Sequence, residues 1–491
     1  LGFISSFLFL LLKRFLIPPM LALSGTLIYC AHPLFVSSIA YIPNRCELQL
    51  LFFSLVSFLF FIEFLQKRKN IFLLLHWAAF TIALFCKETA AILPILFVVY
   101  FFAFSSEKRF EKKYFFIIML YAVSGMFWFW LRSKAIGDYS TPDGTFGLMP
   151  LLSNVKVIPE ALAKFFLPFD FSPIPGFSIL KISTGLGIII IIIIISFKNR
   201  VRLKKEIIFC FSWFLLLMLP PMLFKHPYID YLDHRFFLPM IGILLYILLI
   251  VPEKWFKNGD IKRLWILIAI FIILCSFTFI KARSYSDPMT FYNSAVLQNS
   301  NSAMAYNNRG YIKYTMDDIK GAIGDYSKAI AICPTYDEAY NNRGYAKLLI
   351  GDKSGAIEDF NSAISINNKN AEAYNNRGAA KMGIGNFQDA IEDYNKAIAL
   401  RPNYAEAYNN KGIIMNSTGR YSEAMIYLNK AIEIDPNHLN AYGNRSITKY
   451  HLKDFAGAIE DCERILKQNP DDKRALNLKA KAQQELQKVS H

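Results

Sequence analysis

Apolar residues dominate the first 280 positions of the chain, where they form long runs interrupted by short charged segments. A helix that crosses a lipid bilayer needs roughly 20 mainly apolar residues, and these runs match or approach that length. Ten runs are present, at about residues 1–12, 17–31, 48–65, 71–85, 90–104, 114–131, 178–197, 207–224, 236–251 and 264–280. The pattern predicts an all-α first half in the form of a polytopic transmembrane helical bundle.

After residue 280 the sequence repeats itself with a step of 34 residues. The most regular series are Tyr306, Tyr340, Tyr374, Tyr408 and Tyr442, then Gly310, Gly344, Gly378 and Gly412, and Ala322, Ala356, Ala390, Ala424 and Ala458. This pattern resembles the tetratricopeptide repeat, a helix-turn-helix unit that stacks into an α-solenoid. We predict a transmembrane domain at 1–280, a linker and half repeat at 281–302, five repeats at 303–472, and a capping helix and tail at 473–491.

Composition and charge agree with this division. The whole chain is 54% hydrophobic, contains 44 Phe and has a net charge of +16. Residues 1–280 hold 27 Lys and Arg against 14 Asp and Glu, whereas the remaining residues hold 27 against 24. Nucleic-acid binding would require the positive excess on a soluble surface, and here it belongs to the apolar half. No nucleic-acid partner is therefore expected.

The connecting segments predict the orientation of the bundle. Those richest in Lys and Arg are 13–14, 66–69, 107–113, 198–205 and 254–263, and such segments face the cytoplasm. The loops around Arg45, Lys87 and Arg235 and the loop at 132–177 then share the outer face with the repeats. We expect an integral membrane protein of the bacterial inner membrane or the endoplasmic reticulum, with its repeats on the periplasmic or luminal side.

The same count of crossings bears on the amino terminus. Ten spans followed by repeats on the outer side require the chain to begin outside as well. The first run is shorter than a complete span and does not start with methionine. We therefore expect a truncated amino terminus, preceded by at least one earlier span and an outer loop.

Charged residues at the outer ends of spans are the first functional candidates. Arg45 and Glu47 stand where an apolar helix begins, either as members of a site or as markers of the lipid boundary. Lys87 and Glu88 interrupt an apolar stretch, either as the tip of a helical hairpin or as part of the same outer site. Cations such as Lys87 and Arg45 would neutralise a phosphate-bearing lipid, and Arg235 would contact an anion or extend toward the headgroups.

The other outer residues are less specific. The segment 147–169 suits a helix in the membrane interface, as the wall of a lipid groove or as a surface clip. We expect solvated charges at Asp138, Asp143, Glu160 and Asp170. His226, Asp230, Asp233 and His234 are metal-capable types without a standard ligand spacing, so no metal site is predicted. The seven cysteines form no paired motif, and no disulfide framework is expected.

Asparagines repeat on the first helix of each predicted repeat. The series is Asn308, Asn342, Asn376, Asn410 and Asn444, and Asn307, Asn341, Asn375 and Asn409 precede four of them. It resembles the asparagine ladder of the O-linked N-acetylglucosamine transferase repeats, which implies an extended polypeptide ligand. The alternative is that these amides bridge neighbouring repeats or follow the repeat consensus. Arg309, Arg343, Arg377 and Arg445 replace the commoner leucine, so the inner surface is expected to differ from that example.

Three outer-loop motifs, AHPLFVSSIAYIPNRCEL, FCKETAAILP and YLDHRFFLPMIG, follow one another along the chain. With the attached repeats they resemble the tetratricopeptide-containing membrane glycosyltransferases of the GT-C superfold, the TMTC proteins and their bacterial relatives, which are related to protein O-mannosyltransferases. The resemblance implies a GT-C-like bundle that transfers a sugar from a polyprenyl-phosphate donor to a protein acceptor.

The resemblance also implies roles for particular residues. Arg45 and Glu47 match a motif that lines the donor site, and Lys87, Glu88 and Arg235 match less specific positions in the same cavity. The catalytic carboxylate of the family lies in the first outer loop, which we expect upstream of Leu1. The donor is a membrane lipid substrate, and neither another cofactor nor a divalent metal is expected.

A different class of protein fits the same features. A non-enzymatic scaffold of the cell envelope would use the spans to anchor a repeat platform for protein–protein interaction, but it leaves the three charged outer loops unexplained. A transporter is a third alternative, although no predicted span holds the intramembrane charges that a coupled pathway would use.

Overall fold

The computed structural model describes residues 2–36, 46–105, 112–136, 145–146, 148–168, 178–199, 203–225, 233–251 and 261–489. The chain divides into two compact units, which we call the membrane unit (Leu1–Ser302) and the repeat unit (Ala303–His491). Both consist of α-helices, and the strands described are two antiparallel dipeptides, β1 (Thr145–Phe146) and β2 (Phe224–Lys225). The predicted all-α fold class is confirmed.

The membrane unit is a bundle of helices. Its α-helices are α1 (Gly2–Arg14), α2 (Pro19–Cys30), α3 (Cys46–Lys67), α4 (Asn70–Cys86), α5 (Leu93–Phe104), α6 (Lys112–Ile136), α7 (Leu148–Asn154), α8 (Val157–Phe166), α9 (Ile179–Asn199), α10 (Lys204–Met222), α11 (Met240–Ile250), α12 (Ile261–Arg283) and α13 (Pro288–Gln298). Short 3-10 helices cover Pro33–Phe35, Glu88–Ile92 and Asp233–Phe236.

Each of the ten apolar runs coincides with a helix of this unit. Among the described residues, five helices are long and apolar enough to cross a membrane, namely α3, most of α6, α9, α10 and most of α12. The helices at the other runs are shorter, so a total of ten spans stays a prediction. Helix α13, in the segment predicted as a linker and half repeat, groups with the membrane unit.

Aromatic side chains fill the space between α3, α5 and α10. The ring of Phe58 on α3 lies 5.2 Å from that of Tyr100 on α5 and 5.1 Å from that of Trp213 on α10, centroid to centroid. Phe58 and Trp213 are buried. Lipid tails are as apolar as these side chains, so contact between the rings removes no apolar surface from water. Close packing of the rings, rather than the hydrophobic effect, therefore stabilises the contact. Only 11% of the apolar window of α9, and of that of α12, is buried in the unit, as expected for helices that face hydrocarbon.

Helix α8 packs closely on α9. An added Cβ at Gly185 of α9 would lie only 1.8 Å from the backbone oxygen of Pro159 in α8. This packing buries most of α8, including Glu160, which has no exposed surface, and Lys164. The Glu160 carboxylate lies 4.0 Å from the ammonium of Lys181. The prediction that Glu160 is a solvated charge is wrong, because the close contact between the two helices removes it from solvent.

The repeat unit contains five helix pairs and a final helix. They are α14 (Ala303–Thr315) with α15 (Ile319–Ile332), α16 (Asp337–Leu349) with α17 (Lys353–Ile366), α18 (Ala371–Gly383) with α19 (Phe387–Leu400), α20 (Ala405–Ser417) with α21 (Tyr421–Ile434), α22 (Leu439–His451) with α23 (Phe455–Gln468), and α24 (Lys473–Val489). The predicted α-solenoid of helix-turn-helix units is confirmed.

Small residues explain the regular spacing of these pairs. At Gly344 an added Cβ would lie 2.8 Å from the ring of Phe360, so glycine lets the two helices of a repeat approach. The turn between them contains one residue with a positive φ, and Gly351 (φ 86°) is the first of three glycines there. Asp352 then begins α17, where its side chain accepts a hydrogen bond from the backbone N–H of Gly355. These features return in most repeats, which gives the 34-residue period a physical basis.

Candidate functional site

A buried ion pair lies at the end of the membrane unit that we predict to be the outer one. Glu47 stands in the first turn of α3, and Lys87 stands between α4 and the following 3-10 helix. Their side chains are in direct contact, with 5% of Glu47 and 17% of Lys87 exposed. The two residues are far apart in sequence and meet because α3 and α4 form a helical hairpin.

Further charged residues surround this pair. Arg235 is half-buried in the 3-10 helix Asp233–Phe236, close enough for its charge to act on both Glu47 and Glu88. Glu88 accepts a hydrogen bond of 3.3 Å from Arg132, a residue that the sequence did not single out. We call Glu47, Lys87, Glu88, Arg132 and Arg235 the charged cluster; its three cations outnumber its two carboxylates.

The structure thus brings together four of the five residues predicted for donor binding. The fifth, Arg45, lies outside the described residues. The same is true of Asp138, Asp143, Asp170, His226 and Asp230, while Asp233 and His234 belong to a helix whose first side chains are not described. Within the described ranges, no three His, Cys, Asp or Glu side chains gather as they would around a metal ion.

His32 is a buried polar residue that the sequence analysis left unassigned. Its Nε2 donates a hydrogen bond to the backbone oxygen of Phe165 over 2.8 Å, and its Nδ1 accepts one from the backbone N–H of Leu34. Burial lowers the pKa of His32 to about 4. The imidazole is therefore neutral at physiological pH, and it fixes the end of α8 against the segment after α2.

An apolar cavity of about 360 Å³ lies beside His32. Its walls come from α2, α11, α12 and the end of α8, and include Ile28, Phe165, Leu248 and Ile270. Polar atoms contribute little to this lining. The cavity suits a hydrocarbon chain better than a polar ligand.

In the repeat unit, the predicted asparagine ladder is a network of hydrogen bonds between side chains. Asn410 donates from Nδ2 to the Oδ1 of Asn375 in the preceding repeat over 3.1 Å, and accepts at its own Oδ1 from Asn409. The equivalent bonds between repeats join Asn342 to Asn307, Asn376 to Asn341 and Asn444 to Asn409, at 2.8–3.1 Å. This geometry favours the alternative in which the amides bridge neighbouring repeats.

The arginines that replace leucine form ion pairs inside their own repeats. Arg343 donates from Nε and Nη2 to both carboxylate oxygens of Asp359, at 2.9 and 2.6 Å, and Lys347 lies 2.8 Å from the same carboxylate. The same triad occurs as Arg309–Asp325–Lys313, Arg377–Asp393–Lys381 and Arg445–Asp461–Lys449. The aspartates also recur every 34 residues, which the sequence could have revealed.

The fourth repeat replaces all three members of this triad. Lys411, Met415 and Tyr427 occupy the positions of the arginine, the lysine and the aspartate, and the Lys411 ammonium lies 4.1 Å from the centre of the Tyr427 ring. A cation–π contact takes the place of the ion pair. The triad is therefore replaced as a unit, which avoids a buried charge without its partner.

His438, at the start of α22, is a titratable residue with a carboxylate partner. Its Nε2 is 2.9 Å from a carboxylate oxygen of Glu406, and this hydrogen bond raises the pKa of His438. A raised pKa in the folded state contributes stability below the unfolded pKa of about 6.5, and this contribution is lost as pH rises through the folded pKa.

We expect His438→Asn to abolish this pH dependence. Asparagine is the natural residue at the equivalent Asn370, where it caps α18, so the variant keeps a cap and loses the titrating group. The free energy of unfolding of the wild type should exceed that of the variant by about 0.5 kcal/mol near pH 5.5 and by less near pH 8.5. Thermal unfolding of both proteins by circular dichroism measures this difference. An equal difference at the two pH values would contradict the assignment.

Comparisons with known proteins agree with the two-unit structure. Residues 1–130 match the family described as dolichyl-phosphate-mannose-protein mannosyltransferase. Residues 314–351, 337–370 and 370–437 match tetratricopeptide repeat families. The chain joins a mannosyltransferase-family domain to carboxy-terminal tetratricopeptide repeats. This combination confirms the resemblance inferred from the three loop motifs and the 34-residue period.

Solved structures similar to the chain include a crystal structure of MamA protein, at 28% identity over 34% of this chain and 92% of that chain, with a TM-score of 0.30. Another is YrrB, titled a TPR protein with an unusual peptide-binding site, at 22% identity over 38% of this chain and 97% of that chain, with a TM-score of 0.31. PilF of Pseudomonas aeruginosa has 17% identity over 38% of this chain and 86% of that chain, with a TM-score of 0.35. Among curated proteins, none matches the chain.

The mannosyltransferase-family match includes most of the charged cluster. Glu47, Lys87 and Glu88 lie within residues 1–130, whereas Arg132 and Arg235 lie beyond them. The cavity beside His32 is likewise built partly from matched and partly from later residues. Residues beyond the family match therefore contribute to both the charged cluster and the cavity.

Proposed function

We propose that the membrane unit transfers a sugar from a polyprenyl-phosphate donor to a polypeptide acceptor bound by the repeats. One observation carries the proposal: the buried Glu47–Lys87 pair and the nearby Arg235 belong to a bundle that begins with a mannosyltransferase-family domain. A buried ion pair has a desolvation cost that an apolar pair would avoid. Charged residues retained within a membrane bundle are therefore expected to serve a function.

The proposed reaction exchanges one bond for another at the sugar. The bond between the anomeric carbon and the phosphate oxygen breaks, and a bond from this carbon to the acceptor hydroxyl oxygen forms. The hydroxyl proton passes to a carboxylate acting as general base. Lys87 and Arg235 neutralise the charge that develops on the leaving polyprenyl phosphate, and Glu47 contacts the sugar or the acceptor.

The apolar cavity beside His32 suits the lipid part of such a donor. Its lining is almost entirely hydrocarbon, and its volume of about 360 Å³ accommodates a segment of an isoprenoid chain rather than the whole lipid. We place the reaction on the outer or luminal side of the membrane, with the repeats on the same side. This location follows from the distribution of cations between the loops.

Neutralising the buried pair should abolish transfer. We expect Glu47→Gln/Lys87→Gln to lower the rate of mannose transfer from dolichyl-phosphate mannose by about 100-fold, because a charge that stabilises the leaving group is lost. Removing both charges together leaves neither partner buried alone. The measurement is incorporation of labelled mannose into endogenous polypeptides in membranes that contain the full-length natural protein.

A matched control is available on the same helix. Glu63 stands near the other end of α3, where it pairs with Lys67 over 2.7 Å and with Arg14. Glu63→Gln should leave transfer close to wild type when both proteins are present at equal levels in the membrane. Wild-type transfer by the double variant, or an equal loss in Glu63→Gln, would refute the assignment of the site.

A further inference from the structure

The inner face of the repeat unit changes chemical character at its carboxyl end. Helix α24 continues the 34-residue register, so its residues occupy the positions of the first helix of a sixth repeat. One such position holds Met304, Glu338, Glu372, Glu406, Asn440 and Arg474 in turn, and another holds Tyr311, Tyr345, Ala379, Ile413, Ile447 and Lys481. Acidic residues in the middle of the array thus give way to basic residues in α24.

The amide network ends at the same place. Gly443 stands where the four preceding repeats have asparagine, and Leu478 of α24 stands at the next position of the ladder. Asn444 still donates to Asn409 over 2.8 Å, but its own Oδ1 accepts no hydrogen bond within the described residues. The inner face therefore presents an open amide acceptor at this end.

A cavity of about 830 Å³ opens where the network stops, between α20, α22 and α24. It lies beside Gly443, where the missing side chain leaves room: an added Cβ would meet only the Cδ1 of Ile465, at 3.7 Å. The exposed carboxamides of Asn440 and Asn477 also line the cavity. This part of the inner face is thus hollow and rich in polar groups.

The carboxylates and the cations that line this cavity differ in their contacts. Both carboxylates keep their charge but already have a partner, since Glu406 lies 2.9 Å from the Nε2 of His438 and Asp472 accepts a hydrogen bond of 2.9 Å from the backbone N–H of Ala475. Arg474 and Lys481 line the cavity, are exposed, and form no ion pair within the described residues. A ligand with carboxylates would complement them.

We propose that this cavity binds an acidic segment of an extended polypeptide. Arg474 and Lys481 pair with its carboxylates, while Asn440, Asn477 and the Oδ1 of Asn444 bind its backbone. Carboxamides suit this task because they donate to C=O groups and accept from N–H groups. The proposal rests on the function proposed above in that it names the class of the acceptor, although binding is measurable without sugar transfer.

The test is peptide binding to the full chain in lipid nanodiscs, measured by fluorescence anisotropy. The probe is a short fluorescein-labelled peptide in which Asp and Glu alternate with Gly and Ser, and its partner has Asn and Gln at the acidic positions. We expect the acidic peptide to bind more tightly than the amide peptide. Arg474→Gln/Lys481→Gln should weaken binding of the acidic peptide about fivefold, as expected for the loss of two solvent-accessible ion pairs.

Lys467→Gln/Lys473→Gln provides the matched control. It removes the same charge from exposed positions of α23 and α24 that do not line the cavity, and it should leave binding unchanged. Equal binding of the two peptides, an unaffected Arg474→Gln/Lys481→Gln variant, or equal weakening by the control pair would each overturn the proposal.

Gly443→Asn tests the role of the open space. The new side chain would restore the asparagine of the earlier repeats, occupy the cavity and supply a donor to Asn444. We expect weaker peptide binding with an unchanged circular dichroism spectrum, and unchanged binding would count against the cavity. Peptide binding without sugar transfer in any assay would refute the proposed function and leave the binding proposal intact. Sugar transfer by a protein that binds the acidic and the amide peptide equally would refute the binding proposal and leave the proposed function intact.

Discussion

Replacing Asp393 with alanine is expected to lower the free energy of unfolding of the repeat unit by about 3 kcal/mol. The Asp393 carboxylate is 4% exposed and accepts hydrogen bonds of 2.9 and 2.6 Å from Arg377, and Lys381 lies 2.9 Å away. Its removal leaves two cations, each with only 18% of its side chain exposed, without their counterion. The desolvation cost of those cations is then no longer offset.

The neighbouring Glu392 is the matched control. It is exposed and forms no ion pair within the described residues, so Glu392→Ala removes the same charge and should change stability by less than about 0.5 kcal/mol. Hydrogen exchange of α18 and α19 in the full chain measures both effects as free energies of opening. Equal effects of the two substitutions would show that the triad contributes little.

The fourth repeat supplies a second comparison. Arg377→Lys/Lys381→Met/Asp393→Tyr would give the third repeat the residues of Lys411, Met415 and Tyr427. Because this exchange leaves no carboxylate and no unmatched pair of cations, it should cost less than Asp393→Ala alone. A larger loss of stability in the triple variant than in Asp393→Ala would mean that the contribution of the triad depends more on the surrounding residues than on the balance of its own charges.

The architecture was predictable from the sequence because it follows from periodicity. The ten apolar runs became helices, since backbone groups in lipid must be satisfied within the helix itself. The 34-residue step fixed the repeat unit, since Gly344 and its equivalents occur where the first helix of a repeat approaches a large side chain of the second helix. Such features depend on local spacing, which one sequence displays in full.

The pairing of polar side chains was harder to predict from the sequence. The ladder asparagines were visible in the sequence as a series with a 34-residue step. A role in peptide binding and a role in bridging the repeats both require asparagine at these positions, so the series does not distinguish them. Arg343 and Asp359 could be paired only once the angle between α16 and α17 was known. The prediction that Glu160 is solvated failed for a similar reason, because the closeness of α8 to α9 depends on Gly185, whose sequence context is that of an ordinary apolar helix.

The charged cluster was predictable only in part from the sequence. The loop charges predicted that Glu47, Lys87 and Arg235 lie on one side of the membrane, and the distribution of cations predicts nothing finer than that. Their convergence required the hairpin of α3 and α4 and the 3-10 helix that carries Arg235. Arg132 escaped notice because it stands at the end of a long apolar run, where a single arginine usually marks the lipid boundary.

The contact between α8 and α9 gives the second large effect. Gly185→Ala should destabilise the membrane unit by about 3 kcal/mol, at the upper end of the range for an overpacked contact. The new Cβ would lie 1.8 Å from the backbone oxygen and 2.3 Å from the carbonyl carbon of Pro159. Backbone atoms cannot relieve the overlap by a change of rotamer as a side chain can, so α8 has to move. The gain in helix propensity from glycine to alanine is only about 1 kcal/mol and does not offset this overlap.

Gly187→Ala is the control on the same helix. An added Cβ at Gly187 has no atom within 4 Å, so this variant keeps the propensity gain and meets no obstacle. Thermal unfolding of the full chain in detergent should give a lower midpoint for Gly185→Ala and an equal or higher midpoint for Gly187→Ala. Hydrogen exchange should also rise in α8 of the first variant, because its displacement strains the bond between His32 and Phe165. Equal midpoints for the two variants would mean that α8 does not pack on α9 as closely as described.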